Sequence, residues 1–460
     1  MDLFFIQHKN SIKTILLFLL IFSFHLQAQE IEIQILDELD KTPIADVHVF
    51  NTSKTFTATS NARGKVVIDQ SIAADEKLYF QHVAYNEGNF TLSQIRKTQN
   101  IAQLLPKETE LGEIIISVGK IAEPLSEVTN KVEIIKAKEI ALSNSQTSAD
   151  LLQNTGNVYI QKSQMGGGSP VIRGFEANKV LMVLDGVRMN NAIYRGGHLQ
   201  NAITIDPNVL EGTEVVFGPG SVIYGSDALG GVMHFMTKTP TLAKDDEKPH
   251  FEGSAMMRLA SANDERTTHI DVMYGSKKWG TLSSITYGKF GDLRIGTKRT
   301  HGYEDWGKRF QYVETNAEGI DALVQNEDAD VLKFTGYNQT DILQKVYFQP
   351  SENLNFSLNL QYSTSSDIPR YDRLNDPDGE GGLNYAEWKY GPQDRFLASL
   401  TTNISRDKGL YDNVNIVGAF QKIGEDRINR RFGRTVRKYR EEEVKVYSLN
   451  VDFVKQINKK

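Results

Sequence analysis

The feature that most limits what this chain can fold into is a repeated alternation. In residues 353–363, "NLNFSLNLQYS", Leu354, Phe356, Leu358, Leu360 and Tyr362 fall on one side, and Asn, Ser and Gln fall on the other. A period of two is that of an extended strand with unlike faces. About eight such segments follow residue 239, at 251–262, 266–276, 279–290, 339–349, 353–364, 394–405, 413–427 and 442–457. The connections "KK" and "PSEN" are tight and "RDKGLYD" is short, whereas 291–338 and 365–393 are long. From the second connection onward short and long alternate, as they do in transmembrane barrels with short periplasmic turns and longer external loops. A soluble sandwich has no physical reason to put every long loop at one end. The apolar face is therefore expected to meet lipid and the Asn/Ser/Gln face to line a wet lumen. In hydrocarbon every backbone N–H and C=O needs a partner, which leaves a closed barrel as the only β solution.

Composition agrees with this reading but would not have produced it. The 460 residues carry 24% charged side chains, a net charge of -6 and a mean hydropathy of -0.39, the profile of a soluble protein. A barrel escapes that profile because only alternate strand residues touch lipid. Cysteine is absent, which excludes disulfides, thiol catalysis and Cys-ligated zinc within the chain. The N-terminus has Lys9 and Lys13, the apolar run "TILLFLLIFSF" and a small Ala28, the layout of a secretory signal over residues 1–28. That run is shorter than the ~20 apolar residues of a membrane-spanning helix.

Residues 29–106 read as a small β-sandwich: "IEIQIL", "DKTPIADVHVF", "TATSNARGKVVI" and "EKLYFQHVAY" are short strands parted by Asn, Gly and Asp turn signals. A linker, 107–120, contains the apolar segment Glu113, Ile114, Ile115, Ile116, Ser117 and Val118. By itself this segment is either the last strand of the sandwich or an extended peptide offered to a partner for strand addition. From 121 to 240 the texture is mixed α/β. "VEIIKAKEI" and "TSADLLQNTGNVYI" have helical spacing, the latter with Ser148 as N-cap, and "KVLMVLDGVRMN" is a buried strand ending at an Asp185-Gly186 turn. Glycine is dense in "QMGGGSPVIRGF", "YRGGH" and "FGPGSVIYGSDALGGVMHFMTK". These glycines match neither a dinucleotide loop, which Ile223 interrupts, nor a P-loop.

Taken together, "IIISV", "VIRGF", "VLMVLDGVRMN" and "FGPGSVIYGSDALGGVMHFMTK" resemble the TonB box and plug domain of TonB-dependent outer-membrane receptors. The front sandwich is similar to the carboxypeptidase regulatory-like domains of Bacteroidetes receptors, with Ala84 where a Gly usually precedes the Tyr. The resemblance implies a mixed fold: an N-terminal Ig-like β-sandwich, an α/β plug domain over 121–240, and over 241–460 the first ~8 strands of a transmembrane antiparallel β-barrel. A barrel of ~22 strands is wide enough to hold a plug, so the chain is expected to be the N-terminal part of a longer protein. Residues 113–118 become the TonB box, the partner being TonB with its inner-membrane energising complex. Arg173, Glu211 and Glu214 become a plug–barrel latch, although Gly212 and Phe217 stand where the family commonly has arginines, and Met233 and His234 where it has Ile and Asn.

The resemblance places ligand contacts in plug apex and external loops. The candidates are Tyr194, Arg195 and His198, the last as an axial iron ligand, and Arg370, Tyr371 and Arg373. The stretch "PRYDRL…YAEWKYGPQ" looks like loops of haem-type receptors, so the expected cargo is haem or another iron complex, with cobalamin or a glycan as alternatives. Arginine and tyrosine suit carboxylates and ring faces. A surface adhesion or sensing protein and a soluble polysaccharide-binding β protein are the competing classes. No catalytic constellation is present. The nine histidines are never closer than sixteen residues, no G-x-S-x-G elbow occurs, and "NDPDGEGG" has Leu374 and Tyr385 at the first and last EF-hand ligand positions. There is no basic-aromatic stripe for nucleic acid. The chain is thus expected to be no enzyme and to carry no cofactor.

Overall fold

The computed structural model describes residues 31–69, 72–106, 114–120, 122–193, 201–244, 248–406, 409–455 and 457. The expected signal segment lies outside the described residues, as do Glu113, Tyr194, Arg195 and His198. The chain divides into two compact units, Met1–Glu113 and Ile114–Lys460. Among the described residues no helix is long and apolar enough to cross a membrane.

In the first unit, alternating strands form two small sheets. One has the order Lys65–Ile68, Ile31–Asp37, Ile101–Leu104, and the other Thr57–Thr59, His48–Asn51, Lys77–His82, Tyr85–Thr91. Their inward residues, including Ile33, Ile35, Val49, Leu78 and Phe80, make one apolar core. The helix Leu92–Lys97 starts at a reciprocal cap in which the Thr91 hydroxyl accepts from Gln94 N and the Gln94 amide oxygen accepts from Thr91 N. The last strand of this unit is Ile101–Leu104, so the apolar segment after it is not a sandwich strand.

The second unit begins with an α/β body. Its five-stranded sheet runs Lys131–Lys136, Leu210–Phe217, Gly231–Thr237, Val180–Leu184, Val187–Arg188. All five residues of Val180–Leu184 are buried, as expected for a strand covered on both faces. It turns at Asp185 and Gly186, both at positive φ. Two expectations fail here. "VEII" is strand rather than helix, because its β-branched Val132, Ile134 and Ile135 pair antiparallel along Leu210–Phe217; the helix is only Ala137–Ser143. The next helix, Ser148–Asn154, is capped by Thr147, because Asp150 stands at the third helical position from Thr147, where a capping box needs its acceptor. Ser148 instead donates to Ile205 O. Close packing explains part of the glycine density: a Cβ on Gly231 would lie 2.6 Å from Val216 O.

Eight long antiparallel strands follow in simple meander order: His250–Ala260, Glu265–Gly275, Trp279–Phe290, Tyr337–Ser351, Leu354–Ser365, Tyr385–Ser405, Asn413–Arg431 and Lys438–Val454. They coincide with the eight alternating segments. The sixth begins at Tyr385 rather than 394, carried past Gly391 and Pro392 by a register shift between Tyr390 and Gln393. The two faces are inverted relative to a soluble sheet. Leu259, Ile270, Ile285, Leu358, Tyr362, Leu400 and Leu449 are exposed, while Arg258, Glu265, Asp271, Thr286, Lys345, Asn359 and Arg395 are buried. The polar face lies against the α/β body, where a wet lumen was expected. Lys238 pairs with Asp271 at 2.7 Å, Asn359 donates to Asp185 at 2.7 Å and Lys345 stands 3.5 Å from Asp185. Thr286 donates to Asp206, and Gln146 to Glu265.

Placing a cation at mid-strand on the outward face tests the orientation. Leu358→Lys is expected to cost about 2–4 kcal/mol in lipid, read by denaturant titration of the protein in vesicles.

Candidate functional site

The large sheet has two unlike ends, set by its connections. At one end the turns 276–278, 352–353 and 406–412 are short; at the other, 291–336 and 366–384 are long, beside the short turns 261–264 and 432–437, the last of which departs from the expected alternation. The apolar segment after the first unit docks at the short-turn end. Ile116 and Lys120 share a cavity of about 530 Å³ with Asp185, His234 and strand-end residues such as Asn403, Asn413 and Asp452. Lys120 stands 3.3 Å from Asp452 and 5.3 Å from the centre of the Tyr224 ring.

What holds this segment is Glu214. Ile114 and Ile115 pair only with Pro124 and Glu123, a ladder too short to fix it. The next two backbone N–H groups are gripped instead. Ile116 N donates to both Glu214 carboxylate oxygens at 3.2 and 3.0 Å, and Ser117 N donates to Oε2 at 2.7 Å. Glu214 is 2% exposed, on a central strand of the α/β body. Bonds to a buried carboxylate are worth about 1.5–3 kcal/mol each. Val118 adds apolar contact with the cluster of Leu181, Val183 and Val216.

The grip is incompletely satisfied. His234 lies directly across the sheet from Glu214 and accepts through Nε2 from Gly186 N at 3.3 Å. The proton of the neutral ring then sits on Nδ1, which is buried without a partner among the described residues, as is Ser117 Oγ. Burial pushes the His234 pKa down, against the opposing pull of the Glu214 and Asp185 carboxylates. The ring thus stays neutral where the family's usual Asn would also be neutral.

The expected latch of Arg173, Glu211 and Glu214 does not assemble. Glu214 faces the docked segment. Arg173, at positive φ before Gly174, lies 5.5 Å from the centre of the Phe217 ring, which Lys131 also approaches at 5.1 Å. Glu211 is exposed and lines the short-turn cavity. Phe217 thus offers Arg173 a ring face as its partner. Links between body and sheet include those of Lys238, Asp185, Asp206 and Gln146, to which the sequence alone gave no such role.

At the long-loop end, Arg370 stands 4.3 Å from the centre of the Trp388 ring and makes a two-point ion pair with Asp372. Arg373 reaches Asp376 at 3.4 Å. Both guanidinium groups are thus occupied within their own loop. Tyr371 is half-buried, its hydroxyl pushed up to about 12, first by burial and then by the Asp372 and Asp150 carboxylates. Among the described residues no group of His, Asp and Glu could hold a metal ion.

Residues 124–232 match the family model described as the TonB-dependent Receptor Plug Domain. The chain is 27% identical over 264 residues to the vitamin B12 transporter BtuB of Vibrio vulnificus strain CMCP6, covering 55% of this chain and 40% of that protein. Over 141 residues it is 32% identical to BtuB of strain YJ016, covering 30% of this chain and 22% of that one. It therefore spans two fifths or less of the curated relatives it matches. The solved FpvAI–pyocin S2 complex shares the fold, with a TM-score of 0.53 at 11% identity over 76% of this chain and 46% of the other.

Two outcomes test the grip. Glu214→Ala should release residues 114–118, seen as fast motion of a spin label at Ile114→Cys; an unchanged spectrum would show that Glu214 does not hold them. Because the folded pKa of His234 lies below its ordinary ~6.5, its contribution to stability is complete above that pH and is lost as pH falls through the folded value. Melting in detergent should therefore weaken below about pH 6.5, and His234→Asn should flatten that slope.

Proposed function

We propose, on the premise that this chain is that of a TonB-dependent outer-membrane receptor, that it takes up a scarce ligand by releasing residues 113–118 to TonB. The location is the Gram-negative outer membrane, and the α/β body is the plug. The observation that carries the proposal is the placement of the docked segment. It lies at the short-turn end, which barrels direct to the periplasm, held by two backbone bonds beside unpaired polar atoms. Ligand arriving at the long-loop end shifts the plug, the Glu214 grip opens, and TonB draws on the exposed strand by main-chain pairing. The inner-membrane energising complex supplies the work, so no reaction chemistry is asked of this chain. Its named relatives are transporters, and the chain is not an enzyme.

The eight strands serve as the first part of a barrel of about 22. Two facts support this: the outer edges of the first and eighth strands have no partner among the described residues, and lipid tolerates no open edge. The N-terminal two-sheet unit is assigned to the carboxypeptidase regulatory-like class and to the periplasm. For the cargo, the loop around Tyr371 favours haem or another iron complex, and likeness to BtuB favours cobalamin.

Deletion of residues 114–118 should abolish uptake and spare binding, measured with radiolabelled ligand on cells and on purified receptor. Loss of both together would overturn the proposal. Titration of the detergent-purified receptor with haem and with cyanocobalamin separates the two cargo readings.

A further inference from the structure

The long-loop end contains a second feature that the predicted loop residues do not account for. Loop 291–336 folds back as two hairpins, Leu293–Arg294 with Val331–Leu332 and Gln311–Thr315 with Asp321–Gln325. Between it and the extended start of the sixth strand lies a cleft of about 340 Å³. Among the described residues, none of the α/β body lines it.

Its walls combine rings with positive charge. Tyr312, Phe334, Tyr385 and Trp388 line it, with Tyr312 and Phe334 edge to face at 5.5 Å. Trp388 is braced by Arg370 and, at 5.3 Å, by Tyr390. Five cations also line it, and three are neutralised locally. Arg430 makes a two-point pair with Asp321, Arg437 pairs with Glu387, and Lys389 lies between Glu387 and Asp367. Arg309 Nε is buried without a partner among the described residues, and Lys333 has only a through-space attraction to Asp328, a carboxylate already paired with Arg294 at 2.8 Å. A buried guanidinium donor left open beside aromatic walls calls for an acceptor from outside.

We infer that this cleft binds a planar aromatic anion, its ring between Trp388, Tyr385 and the Tyr312–Phe334 pair and its carboxylate or other oxyanion on Arg309 and Lys333. A cation is disfavoured because the one acidic lining residue, Glu387, already serves two bases. Size narrows the class further. A cavity of about 150 Å³ accepts one benzene ring, so this cleft holds about two fused rings. The anion is either a small free molecule or one aryl arm of a larger cargo. That it is cargo at all rests on the uptake reading above; that it binds does not.

The test is a calorimetric titration of the detergent-purified receptor with sodium 2-naphthoate, naphthalene-2-carboxamide and cyclohexanecarboxylate. Naphthoate should saturate one site, and the uncharged amide and the non-aromatic anion should bind at least about tenfold more weakly, the worth of a charge-assisted pair. Arg309→Gln and Lys333→Gln should each weaken naphthoate about tenfold without affecting the amide. Arg266→Gln, on the exposed second strand, should change nothing. Equal binding of naphthoate and amide, or unchanged naphthoate affinity in both cleft variants, overturns the inference. Naphthoate tethered to a dextran that still binds identifies an arm of a larger molecule; binding of free naphthoate alone identifies a small one. Binding in detergent needs neither TonB nor residues 114–118, so failure here is distinct from failure of the uptake reading.

Discussion

The structure depends on one constraint: a strand in hydrocarbon must pair all its backbone groups with other strands and turn its apolar side outward. Everything inside the sheet is then polar by default, because a strand has only two faces. Arg258, His269, Asp271, Lys345, Asn359 and Arg395 occupy what would be core positions in a soluble protein. Left alone, such a layer would need water. Here the α/β body supplies the partners, so the two parts are joined mainly by hydrogen bonds and ion pairs around Asp185, Asp206 and Lys238. Apolar contact between them is local: Val209 meets Leu282 and Leu343, Met165 and Ile203 meet Phe290 and Tyr337, and Leu397 and Val417 join the body's own core. A joint of this kind is specific in register, yet water can replace its bonds one at a time.

The same logic separates the two functional ends. The body's own sheet is apolar and closely packed, with Leu181, Met182, Val232 and Met233 fully buried, so it can move as one piece. Glu214 belongs to that piece, as does His234, and the segment that Glu214 holds connects to it through a two-residue ladder. Small displacements of a packed body are transmitted, not absorbed. Any displacement of the body as a whole therefore carries the Glu214 carboxylate with it.

Much of this was legible in the sequence, for a physical reason. Side-chain alternation is a property of the strand itself, so all eight strands could be read before any partner was known, and loop lengths then oriented them. The early start of the sixth strand was hidden because Gly391-Pro392 reads as a break, and only pairing with the seventh strand shows it to be a bulge. "VEII" looked helical because its neighbours are. The contact between Ile116 and Glu214 joins residues 98 apart, and no local pattern encodes it; resemblance marked Glu214 without pointing to the docked segment. In the loops, Arg370 and Arg373 drew notice by sitting among aromatics, yet each is satisfied by a nearby aspartate. Arg309 and Lys333 lie in a stretch without periodicity, where pairing can be judged only in three dimensions.

The Glu214 grip is made to N–H groups and to no side chain of the docked segment. Every residue except proline offers the same donor at those positions. The plug makes no hydrogen bond to the side chains at 116 and 117, yet Ser117 is fully buried, so the size of the residue at 117 is limited while its backbone alone supplies the bond.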